Sequence, residues 1–172
     1  PDSKVIFLSP TKPLAQQHIT TFRNHLDIEG LELFTGEVSP EKRASLWENS
    51  KIIFSTPQSI ENDVLSNRIS LKSVSLMIFD EAHRATADYS YSYIAKKYEE
   101  VADFPKILAL TASPGSDLDK VSEICNNLFI GNIEVRTEDD PDVSPYFQET
   151  KASWVEVSLP SELIQLKNIL SE

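Results

Sequence analysis

Cysteine, glycine, basic charge and long apolar runs are all scarce in this 172-residue chain, and each scarcity closes off a class of protein. The single cysteine, Cys125, rules out an internal disulfide, so the simplest setting is a reducing cytosol or nucleus. No apolar run reaches the roughly 20 residues of a membrane-spanning helix, and no stretch reads as a charged-then-apolar leader. Of the four glycines, Gly30, Gly36, Gly115 and Gly131, none is followed by lysine. The phosphate-cradling loop G-x-x-x-x-G-K-[ST] is therefore absent from these residues. Sixteen Lys and Arg against 27 Asp and Glu give a formal net charge of -11. That balance argues against nucleic acid at face value, because phosphate neutralisation provides most of the affinity, but only the local charge at a binding edge decides.

What is present is a normal core. Forty per cent apolar and 25% charged residues suit one globular domain. Five apolar runs recur: KVIFLS, LELFTG, KIIFST, VSLMIFDE and KILALTAS. They lack strict alternation, as strands covered on both faces do. Helical spacing lies between them. Ala15, Ile19, Phe22 and Leu26 share one face, with Pro13 suited to a first turn, and Ser39 is an N-cap candidate with Pro40 just inside it. Further helices are expected at PQSIENDVL, from Tyr91 to Val101, and at SDLDKVSEICNNL, where Leu118, Val121, Ile124, Cys125 and Leu128 share a face. Alternating strand and helix predicts an α/β fold with a mainly parallel sheet and helices on both faces. In the tail, EDDPDVSPY reads as a loop, WVEVSL as a further strand and Ser161 as the cap of a closing helix. The chain opens two or three residues before a buried strand and its last helix has no closing turn, so a piece of a longer protein is expected.

The strands end in Ser9, Pro10 and Thr11; Thr35 and Gly36; Ser55, Thr56 and Pro57; Asp80 and Glu81; and Thr111, Ala112 and Ser113. In a parallel sheet these ends share one edge, where open α/β sheets bind ligands. Small polar residues there commonly just cap helices. The paired acids ask for more, since unpartnered carboxylates at the end of a buried strand are costly. Asp80 and Glu81 suit a Mg²⁺ and water site, which usually takes phosphate oxygens as further partners. Either the acids serve another purpose, or a phosphate loop precedes Pro1.

Taken in order, these strand ends resemble the motifs of a superfamily 2 helicase: SPTKPLAQQH is similar to motif Ia, TGEVSPEKR to Ib, STPQSIENDV to the TPQ motif, DEAH to motif II and LTASPG to motif III. DEAHRA, TASPGS and SPYF followed by WVEVSLP resemble the archaeal Hef helicase and its relative, the Fanconi anaemia M translocase. The resemblance implies a RecA-like first motor domain over residues 1–159 that lacks its opening strand and P-loop, with 160–172 entering a helical insertion toward a second RecA-like domain in cis. It also implies ATP and Mg²⁺ in the cleft between the two domains and nucleic acid, branched DNA in particular, across both. The expected site is cytoplasmic, or nuclear in a eukaryote. Asp80 would bind Mg²⁺ through water, and Glu81 would position or activate the water that attacks the γ-phosphate. His83 would link them to Thr111 and Ser113, which relay nucleotide state. Pro10, Thr11, Lys12, Thr35, Gly36, Thr56, Pro57 and Gln58 would hold one phosphate backbone without reading sequence. The alternatives are an RNA helicase or double-stranded RNA sensor, and a non-catalytic binding module.

For the remaining residues the plain readings are preferred. His18 and His25 have no companion cysteines and are assigned to surface or packing. Cys125 reads as inert core. Lys42 and Arg43 read as exposed helix charge. Tyr89, Tyr91 and Tyr93 could stack on bases, but an alternating trio on a helix cannot face one groove.

Overall fold

In the computed structural model, residues 3–86, 89–113, 115, 117–137, 139–146, 153–157 and 160–170 are described. The matches at Pro114, Ser116, Phe147, Ser158 and Leu159 lie outside them. All five apolar runs form strands: β1 (Lys4–Leu8), β2 (Leu31–Phe34), β3 (Ile52–Ser55), β4 (Val74–Asp80) and β5 (Ile107–Leu110). They pair in parallel in the order β2-β3-β1-β4-β5, so every carboxyl end meets one edge of the sheet.

The five helices between and after them are α1 (Lys12–His25), α2 (Pro40–Asn49), α3 (Pro57–Leu65), α4 (Ser90–Val101) and α5 (Leu118–Asn127). Each of α1, α2 and α3 opens with a proline in its first turn, where the missing N–H has no intrahelical partner to lose. Ser39 caps α2, its hydroxyl accepting from the Lys42 N–H at 3.3 Å. The C-terminal carbonyls of α2 are capped by a buried lysine. Lys4 Nζ donates to Ser50 O at 2.8 Å and Glu48 O at 3.2 Å and sits 5.4 Å from the centre of the Trp47 ring.

Side-chain alternation along the strands divides the core in two. On one face Phe7, Phe54 and Ile78 pack beneath Ile19 and Phe22 of α1, with the Phe7 and Phe54 rings stacked at 5.5 Å. On the other, Ile6, Leu8, Ile53, Met77 and Phe79 meet Trp47, Ile60, Ile94 and Tyr98 from α2, α3 and α4. Each fully buried large side chain contributes about 1.5–3 kcal/mol, enough to hold both layers on the sheet. β5 departs from the expected two-sided burial: Ile107 and Ala109 pack on the core, while Leu108 and Leu110 are exposed.

The chain divides into two compact units, Pro1–Ile133 and Glu134–Glu172. In the second, a 3-10 turn spans Ser144–Tyr146 and α6 spans Ser161–Leu170. The helix starts at Ser161 itself, with the Pro160 carbonyl accepting from Leu163 and Ile164. The strand expected at WVEVSL is not formed over the described residues 153–157, and Trp154 is 98% exposed. Alternation alone does not make a strand, because a ladder needs a partner, and the described residues of this unit contain none.

Candidate functional site

Asp80 is the last residue of β4, which runs between β1 and β5. Its carboxylate is not orphaned. Oδ1 accepts from the Glu81 N–H at 3.1 Å, and Oδ2 lies 2.9 Å from His18 Nε2. The Asp80 main-chain carbonyl accepts from the hydroxyl of the fully buried Tyr91 at 2.7 Å, and the same hydroxyl reaches Leu8 O at 3.2 Å. Burial, then the neighbouring Tyr89 and Asp80, pushes the Tyr91 phenol far above its ordinary value, so it stays a donor and bridges the ends of β1 and β4.

Glu81 has φ 52° and ψ 49°, the left-handed conformation that non-glycine residues adopt at a cost of roughly 1–2 kcal/mol. The turn sends the chain from β4 into a 3-10 turn over Ala82–Arg84 and leaves the Glu81 carboxylate half-exposed at the sheet edge. His83 Nδ1 lies 3.3 Å from Glu81 Oε2 and 3.0 Å from Thr111 Oγ1. Thr111 Oγ1 in turn accepts from the Ser113 N–H at 3.1 Å. Glu81, His83, Thr111 and Ser113 thus form one continuous run of polar contacts across the ends of β4 and β5.

The other singled-out residues lie at the ends of β1, β2 and β3. Thr11, Lys12, Gly36 and Gln58 are exposed, Pro10 and Thr56 are half-buried, and Thr35 and Pro57 are buried. Thr35 and Pro57 therefore shape a turn and a first helical turn and do not present side chains to solvent. Lys12 is ion-paired with Glu37, which ties the start of α1 to the turn after β2. Ser9 is fully buried, and its hydroxyl finds no partner among the described residues.

Two plain readings need correction. Arg43 is not exposed helix charge. It is buried, with Nε and Nη2 donating to the two carboxylate oxygens of the fully buried Asp63 at 2.5 and 2.8 Å, and Nη1 donating to Thr35 O at 3.2 Å and to Val38 O. One guanidinium thereby joins the turn that carries Thr35 and Gly36 to α3, whose first turn carries Pro57 and Gln58. Its position four residues before Trp47, on the buried face of α2, was the available signal. His18 does pack, with its ring centre 4.5 Å from that of Phe7, but it also reaches Asp80. Its spacing of three from Ala15 and four to Phe22 places it on the inward face of α1. Lys42 is exposed, Tyr91 is core, Tyr89 and Tyr93 pack against that core, and Cys125 is half-buried.

The donor set fits a hard divalent cation carried by a ligand. Among the described residues no group of three or more His, Cys, Asp and Glu side chains could enclose a metal. Asp80 and Glu81 offer only oxygen at the sheet edge, the first mostly sheltered and the second half-exposed. That suits Mg²⁺, which keeps waters and takes phosphate oxygens instead of a full protein cage. No helix among the described residues is long and apolar enough to cross a membrane.

Residues 1–121 match the DEAD/DEAH box helicase family. The crystal structure of the Pyrococcus furiosus Hef helicase domain superposes with a TM-score of 0.80 at 48% identity, covering 98% of this chain and 36% of that one. A Methanocaldococcus jannaschii protein, named provisionally as the ATP-dependent RNA helicase MJ1505, is 44% identical over 99% of this chain and 22% of its own length. The Saccharomyces cerevisiae ATP-dependent DNA helicase MPH1 is 36% identical over 99% of this chain and 17% of its own length. The chain spans about a fifth of these curated relatives. A parallel five-stranded sheet with the acid pair at its carboxyl edge, matched in sequence over residues 1–121 and in shape over nearly all the chain, belongs to the DEAD/DEAH box helicases of superfamily 2, in their Hef-like branch.

Proposed function

We propose that this chain is part of the first motor domain of an ATP-dependent DNA helicase or translocase of the Hef type, coupling ATP hydrolysis to movement on branched DNA in the full-length protein. The observation that carries the reading is the contact run Glu81–His83–Thr111–Ser113, which joins the acid pair to the end of the neighbouring strand. Residues 1–159 would form this partial RecA-like domain, and 160–172 would begin a helical insertion toward a second RecA-like domain in cis.

Each residue has a role that its surroundings support. Asp80 would hold Mg²⁺ through water, an ion that when bound neutralises charge on the phosphates of ATP. A Glu81 carboxylate oxygen accepts the proton of the water that attacks the γ-phosphate, from a backbone turn that projects it past the strand end. His83 lies between that carboxylate and Thr111, so a shift in either changes the hydrogen bonding of the other. Thr11, Lys12, Gly36, Thr56 and Gln58 grip a phosphate backbone with hydroxyl, ammonium and amide groups beside the amino ends of α1 and α3. Pro10, Thr35 and Pro57 hold those segments in shape.

The 172 residues by themselves are predicted not to hydrolyse ATP, even with DNA present, because the lysine and amides that cradle the β and γ phosphates are not among them. Robust DNA-stimulated phosphate release by this purified chain overturns that expectation. A second reading, an RNA helicase, is favoured by the name of the M. jannaschii relative. Full-length protein assayed on DNA and RNA forks of equal sequence separates the two: unwinding or stimulation of ATP turnover confined to RNA removes the DNA reading.

A further inference from the structure

We propose that His18 is a positioning residue for Asp80, the donor that fixes the orientation of the carboxylate assigned above to the metal-bound nucleotide. The inference rests on that functional reading and concerns the last residue of the SPTKPLAQQH segment, to which the resemblance gave no role.

The geometry is that of a supporting partner. A carboxylate turns about its Cβ–Cγ bond unless both oxygens are tied. Oδ1 of Asp80 has the Glu81 N–H, and Oδ2 has His18 Nε2 at 2.9 Å. Both side chains are mostly sheltered, at 29% and 19% exposure, where a hydrogen bond competes less with water. The imidazole is itself held: its ring lies against Phe7, with centres 4.5 Å apart and planes 35° apart, and Ala15 and Ile19 anchor that side of α1 in the core. Each oxygen keeps a lone pair for a water or ion, so the contact orients Asp80 without consuming it. The helix that delivers His18 begins at Lys12 and follows Thr11, two residues placed at the phosphate-gripping edge. One rigid element therefore touches both halves of the proposed site.

Two substitutions separate orientation from packing. His18→Leu keeps an apolar group against Phe7 and removes the donor, whereas His18→Gln presents an amide N–H at a similar reach. In the full-length protein, binding of a non-hydrolysable ATP analogue is measured by titration calorimetry with Mg²⁺ and again in EDTA. His18→Leu is expected to weaken binding in Mg²⁺ by about 10- to 100-fold, as loss of outer partners of metal ligands does, and to leave binding in EDTA unchanged. His18→Gln is expected to restore most of the loss. Wild-type binding by His18→Leu in Mg²⁺, or equal weakening with and without Mg²⁺, overturns the proposal in favour of packing alone. A wild type whose nucleotide affinity ignores Mg²⁺ overturns the functional reading and this inference with it. Should leucine disturb the fold, as a lowered melting temperature would reveal, His18→Met replaces it and is read in the same way.

Discussion

Glu81→Gln in the full-length protein is expected to lower ATP turnover by about 10²- to 10⁴-fold while leaving nucleotide binding intact. The amide matches the carboxylate in size but cannot take a proton, and removal of a general base acts on the transition state. Little else should change. The side chain is half-exposed, its recorded contact is His83 at 3.3 Å, and the left-handed backbone of residue 81 is held by its own N–H to Asp80, which glutamine keeps. Steady-state ATPase measured beside nucleotide binding tests this directly. Retained turnover would mean that Glu81 is not the base, and the hydrolytic role given to this sheet edge would fall with it.

Arg43→Met is expected to destabilise the 172-residue chain by about 3–5 kcal/mol. The loss is not chiefly that of an attraction. Asp63 is fully buried, and both of its oxygens accept from Arg43, so the substitution strands a carboxylate without partners in the interior. It also frees the carbonyls of Thr35 and Val38, which the same guanidinium holds. The double variant Arg43→Met, Asp63→Leu should recover much of the loss, because it removes the stranded charge together with its partner. Urea unfolding of the three variants against wild type measures both effects. A single variant within about 1 kcal/mol of wild type would place the pair among salt bridges that contribute little. Under the proposed function, Arg43 ties together two segments assigned to the phosphate backbone, so nucleic-acid affinity of the full-length protein is expected to fall with the single substitution even where the fold survives.

Local patterning carried far in this chain. The five strands were legible because apolar runs of four to seven residues between proline- and serine-bounded helices have few other solutions. Ser39 was legible as a cap because the hydroxyl, the proline after it and the helix it starts are consecutive in sequence. The described part of WVEVSL, residues 154–157, was misread for the complementary reason. Its alternation is that of a strand, but pairing is a property of two segments, and the described residues near it provide no second one.

The sequence alone determined the parallel α/β sheet and the gathering of Ser9, Thr35, Ser55, Asp80 and Thr111 along its carboxyl edge, because strand direction follows from each crossover helix and is encoded locally. Only the tertiary structure decided that Asp80 answers to His18, 62 residues away, and that Arg43 is buried against Asp63 across 20. Hydrogen bonds between distant elements depend on which helix faces cross the sheet and at what height. That is fixed by the packing of the whole core, and no stretch of residues states it by itself.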